Sequence, residues 1–215
     1  MLSQDWLVTD DGQCEAWEES ADHLELSIGQ YRLYRFLTDL EDILHQLKSD
    51  ASGVRGASRR ERSYRHRLQR ICPLVRRLLT SSQWLQGEYL EPDPQTGWSV
   101  LTLYDEPDFP LTVQTVAWLP GKVSPIHNHA TWGVVALISG EEKNTLWRRT
   151  NHQDSIEKAG EIILTPGEII GFMPDAIHHV EALGDQPTIS FNLYGETNYQ
   201  QRFEFDPVTS IAKNF

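Results

Sequence analysis

The hydrophobic pattern of the chain changes period once. Across SIGQYRLYRFLTDLEDILHQLKSD, the residues Tyr31, Leu33, Tyr34, Leu37, Leu40, Ile43, Leu44 and Leu47 recur at helical spacing. Ser27, or the residues around Gly29, can start this helix, and the stretch from Ser49 to Gly56 breaks it. A second helical stretch runs from about Ser58 to Leu79, with Pro73 predicting a kink or two shorter helices. From about Trp98 the pattern shifts to short β-like runs punctuated by Pro and Gly. WSVLTLY, LTVQTVAWLP, GVVALISG, KNTLWRRT, GEIILTPG, EIIGFMP and TISFNLYG are the strand candidates. Many short strands with no helices between them predict an antiparallel barrel or jelly roll. The expected organisation is a helical extension over 1–90 and a β-barrel over 91–215, folded as one unit and mainly β.

Composition alters this picture little. A chain of 215 residues buries a real core without staples. A mean hydropathy of −0.46 and no apolar run of membrane-spanning length point to a soluble protein. The start, MLSQDWLVTDDGQCEAWEES, is acidic and polar, unlike a secretory or transit segment. Cys14 and Cys72 follow no metal-ligand spacing and read as free thiols of a reducing cytosol, so the expected compartment is cytoplasmic. The net charge of −12 argues against general binding to nucleic acid or to an anionic membrane. Against that background, the arginines of the second helical stretch, among them Arg59, Arg60, Arg62, Arg65 and Arg67, read as a solvated face.

The chemistry concentrates in Gly121-Lys122-Val123-Ser124-Pro125-Ile126-His127-Asn128-His129. Residues i and i+2 of a strand share a face, so His127 and His129 aim two imidazoles at one point. A third imidazole from another strand completes facial ligation and leaves open positions for substrate and oxygen. His178 and His179 are the candidates for it. Adjacent strand residues face opposite ways, so only one of them enters the barrel. Neutral imidazoles bind several first-row metals alike, so the ligands alone do not choose the ion. His23, His45, His66 and His152 stand alone in helices or loops and read as surface or capping residues.

The spacing from Gly121 through His127-x-His129 to Gly133 and Gly140 resembles the first cupin motif, G(X)5HXH(X)3–4E(X)6G. Its glutamate slot is Gly133 here, which favours three histidines over three histidines and a glutamate. The run from Gly167 to His178 resembles the second cupin motif; counting from Gly167 selects His178, whereas anchoring on Pro174 selects His179, and His178 is preferred because Ile177-His178-His179-Val180-Glu181 matches one cupin branch. The resemblance implies the cupin double-stranded β-helix.

Within the cupins, Pro125-Ile126-His127-x-His129-x-x-Trp132-Gly133-Val134-Val135, followed by Gly140 and Glu142, resembles the bacterial thiol dioxygenases, the cysteine and 3-mercaptopropionate dioxygenase branch. The resemblance covers about Trp98 to Gly195. It implies a mononuclear Fe(II) on His127, His129 and His178, and O2 insertion at the sulfur of a small thiol to give a sulfinic acid. Relatives carry a Ser-x-His-x-Tyr triad; here the run is Ser190-Phe191-Asn192-Leu193-Tyr194, with asparagine in place of histidine. Asparagine donates and accepts hydrogen bonds but does not act as an acid or base near neutral pH. The cysteine that some relatives crosslink to the tyrosine is Val134 here, and the arginine one strand before the motif is replaced by the uncharged run Ser99 to Leu103. Arg202 is then the first candidate for a substrate carboxylate, ahead of Arg148 and Arg149, and Trp132 is a candidate pocket wall. Two alternatives stay open: a cupin metalloenzyme acting on a non-thiol substrate, and a small-molecule-binding barrel without catalysis. A homodimer is compatible with the reading, because barrel edges often pair.

Overall fold

The computed structural model describes residues 4–17, 31–50, 57–81, 91–151 and 155–214. They form two compact units: residues 1–17 with 87–215, and residues 18–86.

The first unit is a two-sheet β structure. Its strands are β1 (Asp5–Val8), β2 (Cys14–Trp17), β3 (Trp98–Glu106), β4 (Phe109–Trp118), β5 (Ile126–Asn128), β6 (Gly133–Ser139), β7 (Glu141–Arg149), β8 (Ile156–Leu164), β9 (Ile169–Phe172), β10 (Ile177–Leu183), β11 (Thr188–Tyr194), β12 (Phe203–Asp206) and β13 (Ile211–Asn214). One sheet runs in the order β2-β1-β9-β6-β11-β4-β3 and the other β13-β12-β5-β10-β7-β8. All pairings are antiparallel except that of β1 with β9. From β4 to β12 the chain crosses between the sheets at every step except the β7–β8 hairpin, so this is the jelly-roll architecture that the cupin resemblance implies.

The boundary expected at residue 90 misassigns the start of the chain. Asp5–Val8 and Cys14–Trp17 are strands of the larger sheet, not part of a helical extension. Each spans only four residues, too short for alternation to show in the sequence. Their docking is tertiary: Leu7 and Val8 are buried where β1 lies along β9.

One core cluster joins the two sheets. Val135, Leu137, Ile170 and Phe172 come from the larger sheet, and Leu146 and Leu164 from the smaller. Burying side chains of this kind contributes about 1.5–3 kcal/mol each. Gly140 lets β6 turn into β7. Its φ is +79°, and a Cβ there would lie 2.7 Å from the Pro187 carbonyl oxygen.

The second unit contains α1 (Leu33–Asp50) and α2 (Ala57–Ser81), which contact one another. Phe36, Leu40, Leu44 and Leu47 form the buried stripe of α1, and Leu68, Ile71, Val75 and Leu78 that of α2. α2 runs continuously through Pro73 rather than dividing there. Arg77 stacks over Tyr31 and Arg67 over Tyr64, so these arginines serve the unit itself. The expected helix start at Ser27 or Gly29 lies outside the described residues, as do His23 and His152. No described helix is long and apolar enough to cross a membrane. Cys14 and Cys72 are both free thiols.

Candidate metal centre

The short strand β5 carries the first histidine. His127 lies in register with His178 on β10, so the pairing of β5 with β10 sets two imidazoles side by side. His129 follows β5 directly, and Ala130 beyond it adopts a left-handed φ of +53° that turns the chain away. The three ring centroids lie 4.8–5.0 Å apart. Asn128 points to the other face and acts as a clamp: its Nδ2 donates to the Gln201 carbonyl at 2.9 Å, and its Oδ1 accepts from the Phe203 amide at 2.8 Å. These bonds fix the residues on either side of Arg202.

Each ring is oriented from behind. His127 Nδ1 lies 2.9 Å from the Pro125 carbonyl oxygen and donates to it, which leaves Nε2 with the lone pair. His178 Nδ1 donates to Asn144 Oδ1 at 2.8 Å, with the same result. His178 Nε2 and His129 Nε2 then face each other at 2.9 Å. Phe172 packs against both rings, with centroids at 4.3 Å from His178 and 5.8 Å from His129.

This donor set fits a first-row transition ion. Two nitrogens bound about 2.1 Å from one ion at a right angle lie about 3.0 Å apart, which is the His129–His178 separation. The donor atoms of all three rings lie within 4.8 Å of one another. Burial drives the His127 pKa down to about 4, opposed by its bond to Pro125 and assisted by the nearby Arg202 charge. Burial also holds His129 and His178 well below the usual imidazole range, with neighbouring imidazoles adding to the effect. All three are neutral at pH 7, the form that ligates metal. The ligand atoms do not fix which metal binds.

The polar ladder expected on β11 faces the same space. Tyr194 donates its hydroxyl to Asn192 Oδ1 at 3.0 Å, and Asn192 Nδ2 donates to Ser190 Oγ at 2.9 Å. The Tyr194 ring stacks on His129, with centroids 4.5 Å apart and planes at 26°. Burial pushes its phenol above the ordinary range, and the Glu142 charge adds to that shift while Arg202 opposes it.

A cavity of about 380 Å³ lies over the cluster, a volume in the range of small-molecule sites. His127, His129, His178, Asn192, Tyr194 and Arg202 all line it. Trp132 does not. It is 4% exposed and packs against Gly195, where an added Cβ would strike its indole. Gly133 pairs with Tyr194 on the inner face, so the residue before it points outward. The same alternation sends Val134, paired with Leu193, to the outer face. Arg148 pairs with Glu157 at 2.7 Å and Arg149 stacks over Phe205, so neither reaches the cavity. His179 points away from the cluster and accepts from Trp147 Nε1 at 3.0 Å.

Sequence reasoning assigned no role to Glu142 and Asn144, which are 2% and 1% exposed. Asn144 Nδ2 donates to Glu142 Oε1 at 2.9 Å, and burial raises the Glu142 pKa to about 7. Their signal was available: both alternate in phase with the buried Leu146 along β7, where an apolar residue is expected.

No family model matches the chain. Solved structures similar to it include an oxalate oxidase bound to glycolate, at 15% identity and a TM-score of 0.41, covering 52% of this chain and 59% of the other. The DMSP lyase DddQ of Ruegeria pomeroyi matches at 20% identity and a TM-score of 0.38, covering 52% and 53%. A cupin 2 conserved barrel domain protein of Leptotrichia buccalis matches at 18% and 0.39, covering 51% and 44%. The chain thus spans a little over half the length of the first two.

Proposed function

We propose that the barrel is an Fe(II)-dependent thiol dioxygenase that converts a small carboxylate-bearing thiol into its sulfinic acid. The balance is RSH + O2 → RSO2H, in which sulfur is oxidised and both oxygen atoms enter the product. The observation that carries the reading is the facing pair of Nε2 atoms on His129 and His178, 2.9 Å apart, with His127 beside them. Held by His127, His129 and His178, Fe(II) would supply the electron transfer that joins a thiol sulfur to dioxygen.

The rest is done by the protein. Arg202 lines the cavity close enough for its charge to act on His127 and His129, which suits a carboxylate held beside the metal. Tyr194 keeps its phenol proton at neutral pH and donates it in a hydrogen bond to Asn192 Oδ1, so the hydroxyl oxygen's lone pairs are left for substrate. Phe172 packs an apolar ring against His129 and His178 and so helps to hold their orientation. Two free cysteines suit a reducing cytoplasm.

The test is O2 uptake by protein loaded anaerobically with Fe(II) and given a panel of small thiols with and without a carboxylate. Stoichiometric sulfinate is the expected product, and His127→Ala abolishes both iron content and turnover. Full iron occupancy without sulfinate from any thiol would favour a second reading, a cupin oxidoreductase acting on a non-thiol substrate. The observation behind that reading is Asn192, which removes the acid–base group from the triad.

A further inference from the structure

Glu142, Asn144 and Leu146 alternate along β7 and share its inner face. Leu146 packs in the core, whereas Glu142 and Asn144 set a carboxyl and an amide at positions almost fully shielded from water. Burying such groups is costly unless hydrogen bonds answer them. Their bonds run in one line. Glu142 Oε1 accepts from Asn144 Nδ2 at 2.9 Å, Asn144 Oδ1 accepts from His178 Nδ1 at 2.8 Å, and His178 Nε2 faces His129 Nε2 at 2.9 Å.

Direction matters in this line. An amide has one donating end and one accepting end of nearly the same shape. Turned the other way, Asn144 would offer N–H groups to His178, and the imidazole proton would have to sit on Nε2, the atom facing His129. The carboxyl acceptor at Glu142 holds the donating end of Asn144 and so turns the accepting end to the histidine. Among the described residues no other side-chain hydrogen bond reaches Glu142, and its neighbour across the strands is the fully buried Leu164.

We infer that Glu142 is a positioning residue for the metal centre: through Asn144 it selects the His178 tautomer that leaves Nε2 as the ligand atom. The inference rests on the reading of the three histidines as a metal site. Groups behind metal-bound histidines are worth about 10–100-fold in affinity.

Two readouts test it. In metal-free protein at neutral pH, long-range 15N–1H correlation spectra report the tautomer of His178. Competition against a chelating dye reports Co(II) affinity. The wild type is expected to hold the proton on Nδ1. Glu142→Ala and Asn144→Ala are each expected to populate the other tautomer and to weaken Co(II) binding by about 10–100-fold. The double variant is expected to bind no more weakly than Asn144→Ala, because Glu142 acts through Asn144. Glu142→Gln, whose carbonyl accepts the same bond, recovers much of the affinity. Circular dichroism checks folding, and Glu142→Leu replaces Glu142→Ala if the smaller side chain unfolds the barrel. An unchanged tautomer and Co(II) affinity in the Glu142 variants overturns the proposal, as do losses that multiply in the double variant. If the wild type binds no Co(II), the metal reading fails, and the tautomer alone decides the role of Glu142.

Discussion

Tyr194 occupies the space that a side chain at Gly133 would need. The two residues are register partners on β11 and β6, and a Cβ on Gly133 would lie 2.8 Å from ring carbon Cδ1 and 2.9 Å from Cε1. In the cupin motif that this chain resembles, the Gly133 position carries a glutamate. Here the tyrosine ring lies over the glycine and stacks on His129. Gly133→Ala is therefore expected to push the ring off His129. Overpacking of this kind costs about 1–3 kcal/mol. Thermal melting would read that loss, and a parallel fall in thiol turnover is expected while iron content stays near that of the wild type.

Tyr194→Phe separates hydroxyl chemistry from ring packing. The ring still fills the space at Gly133, but Asn192 Oδ1 loses its donor. A buried acceptor left without a partner costs about 1–3 kcal/mol. Iron binding is expected to persist, with kcat reduced by about 10–100-fold, in line with loss of a positioned hydrogen-bonding group. Unchanged kcat would remove Tyr194 from the reaction.

Arg202 is the charged group at the cavity whose substrate effect is most easily isolated. Arg202→Met is expected to raise KM for carboxylate-bearing thiols by at least about tenfold, as loss of a charge-assisted bond implies. Thiols without a carboxylate should be nearly unaffected. Equal effects on both classes would assign Arg202 to structure.

The pH dependence of metal-free protein carries two opposing signatures. Glu142 has a folded pKa raised from 4.5 to about 7, so its contribution is complete below pH 4.5 and is lost as pH rises through 7. His127 is shifted the other way, from 6.5 to about 4, so its contribution is complete above pH 6.5 and is lost as pH falls through 4. His129 and His178 follow the same direction. Stability of the metal-free wild type should therefore rise from pH 4 to about 6.5. Glu142→Gln isolates the carboxyl: the variant should match wild type near pH 4 and gain on it through pH 7. The shift from 4.5 to about 7 corresponds to a gain of roughly 3 kcal/mol. Denaturant melts at pH 4, 6 and 8 would measure it.

Much of the metal centre is legible in the sequence because its signals are local. His127-x-His129 is a period-two pattern, and the Ser190, Asn192 and Tyr194 ladder is another. The choice of His178 over His179 depends on which face of β10 turns inward, and alternation alone permits either. Trp132 stays only a candidate in the sequence for the same reason, since its side depends on where β6 begins; the structure buries it outside the cavity lining. The strands β1, β2, β12 and β13 are four residues each and gain their order from neighbours far along the chain. Asn144 and Glu142 gain meaning only when the pairing of β7 with β10 brings Asn144 beside His178.

Anaerobic Fe(II) titration of four proteins tests the metal centre most directly: wild type, His129→Ala, His178→Ala and His179→Ala. One iron per chain is expected for wild type and His179→Ala, with iron lost in His129→Ala and His178→Ala. Full occupancy in the His178 variant, or its loss in the His179 variant, would contradict a site built on the facing imidazoles of His129 and His178.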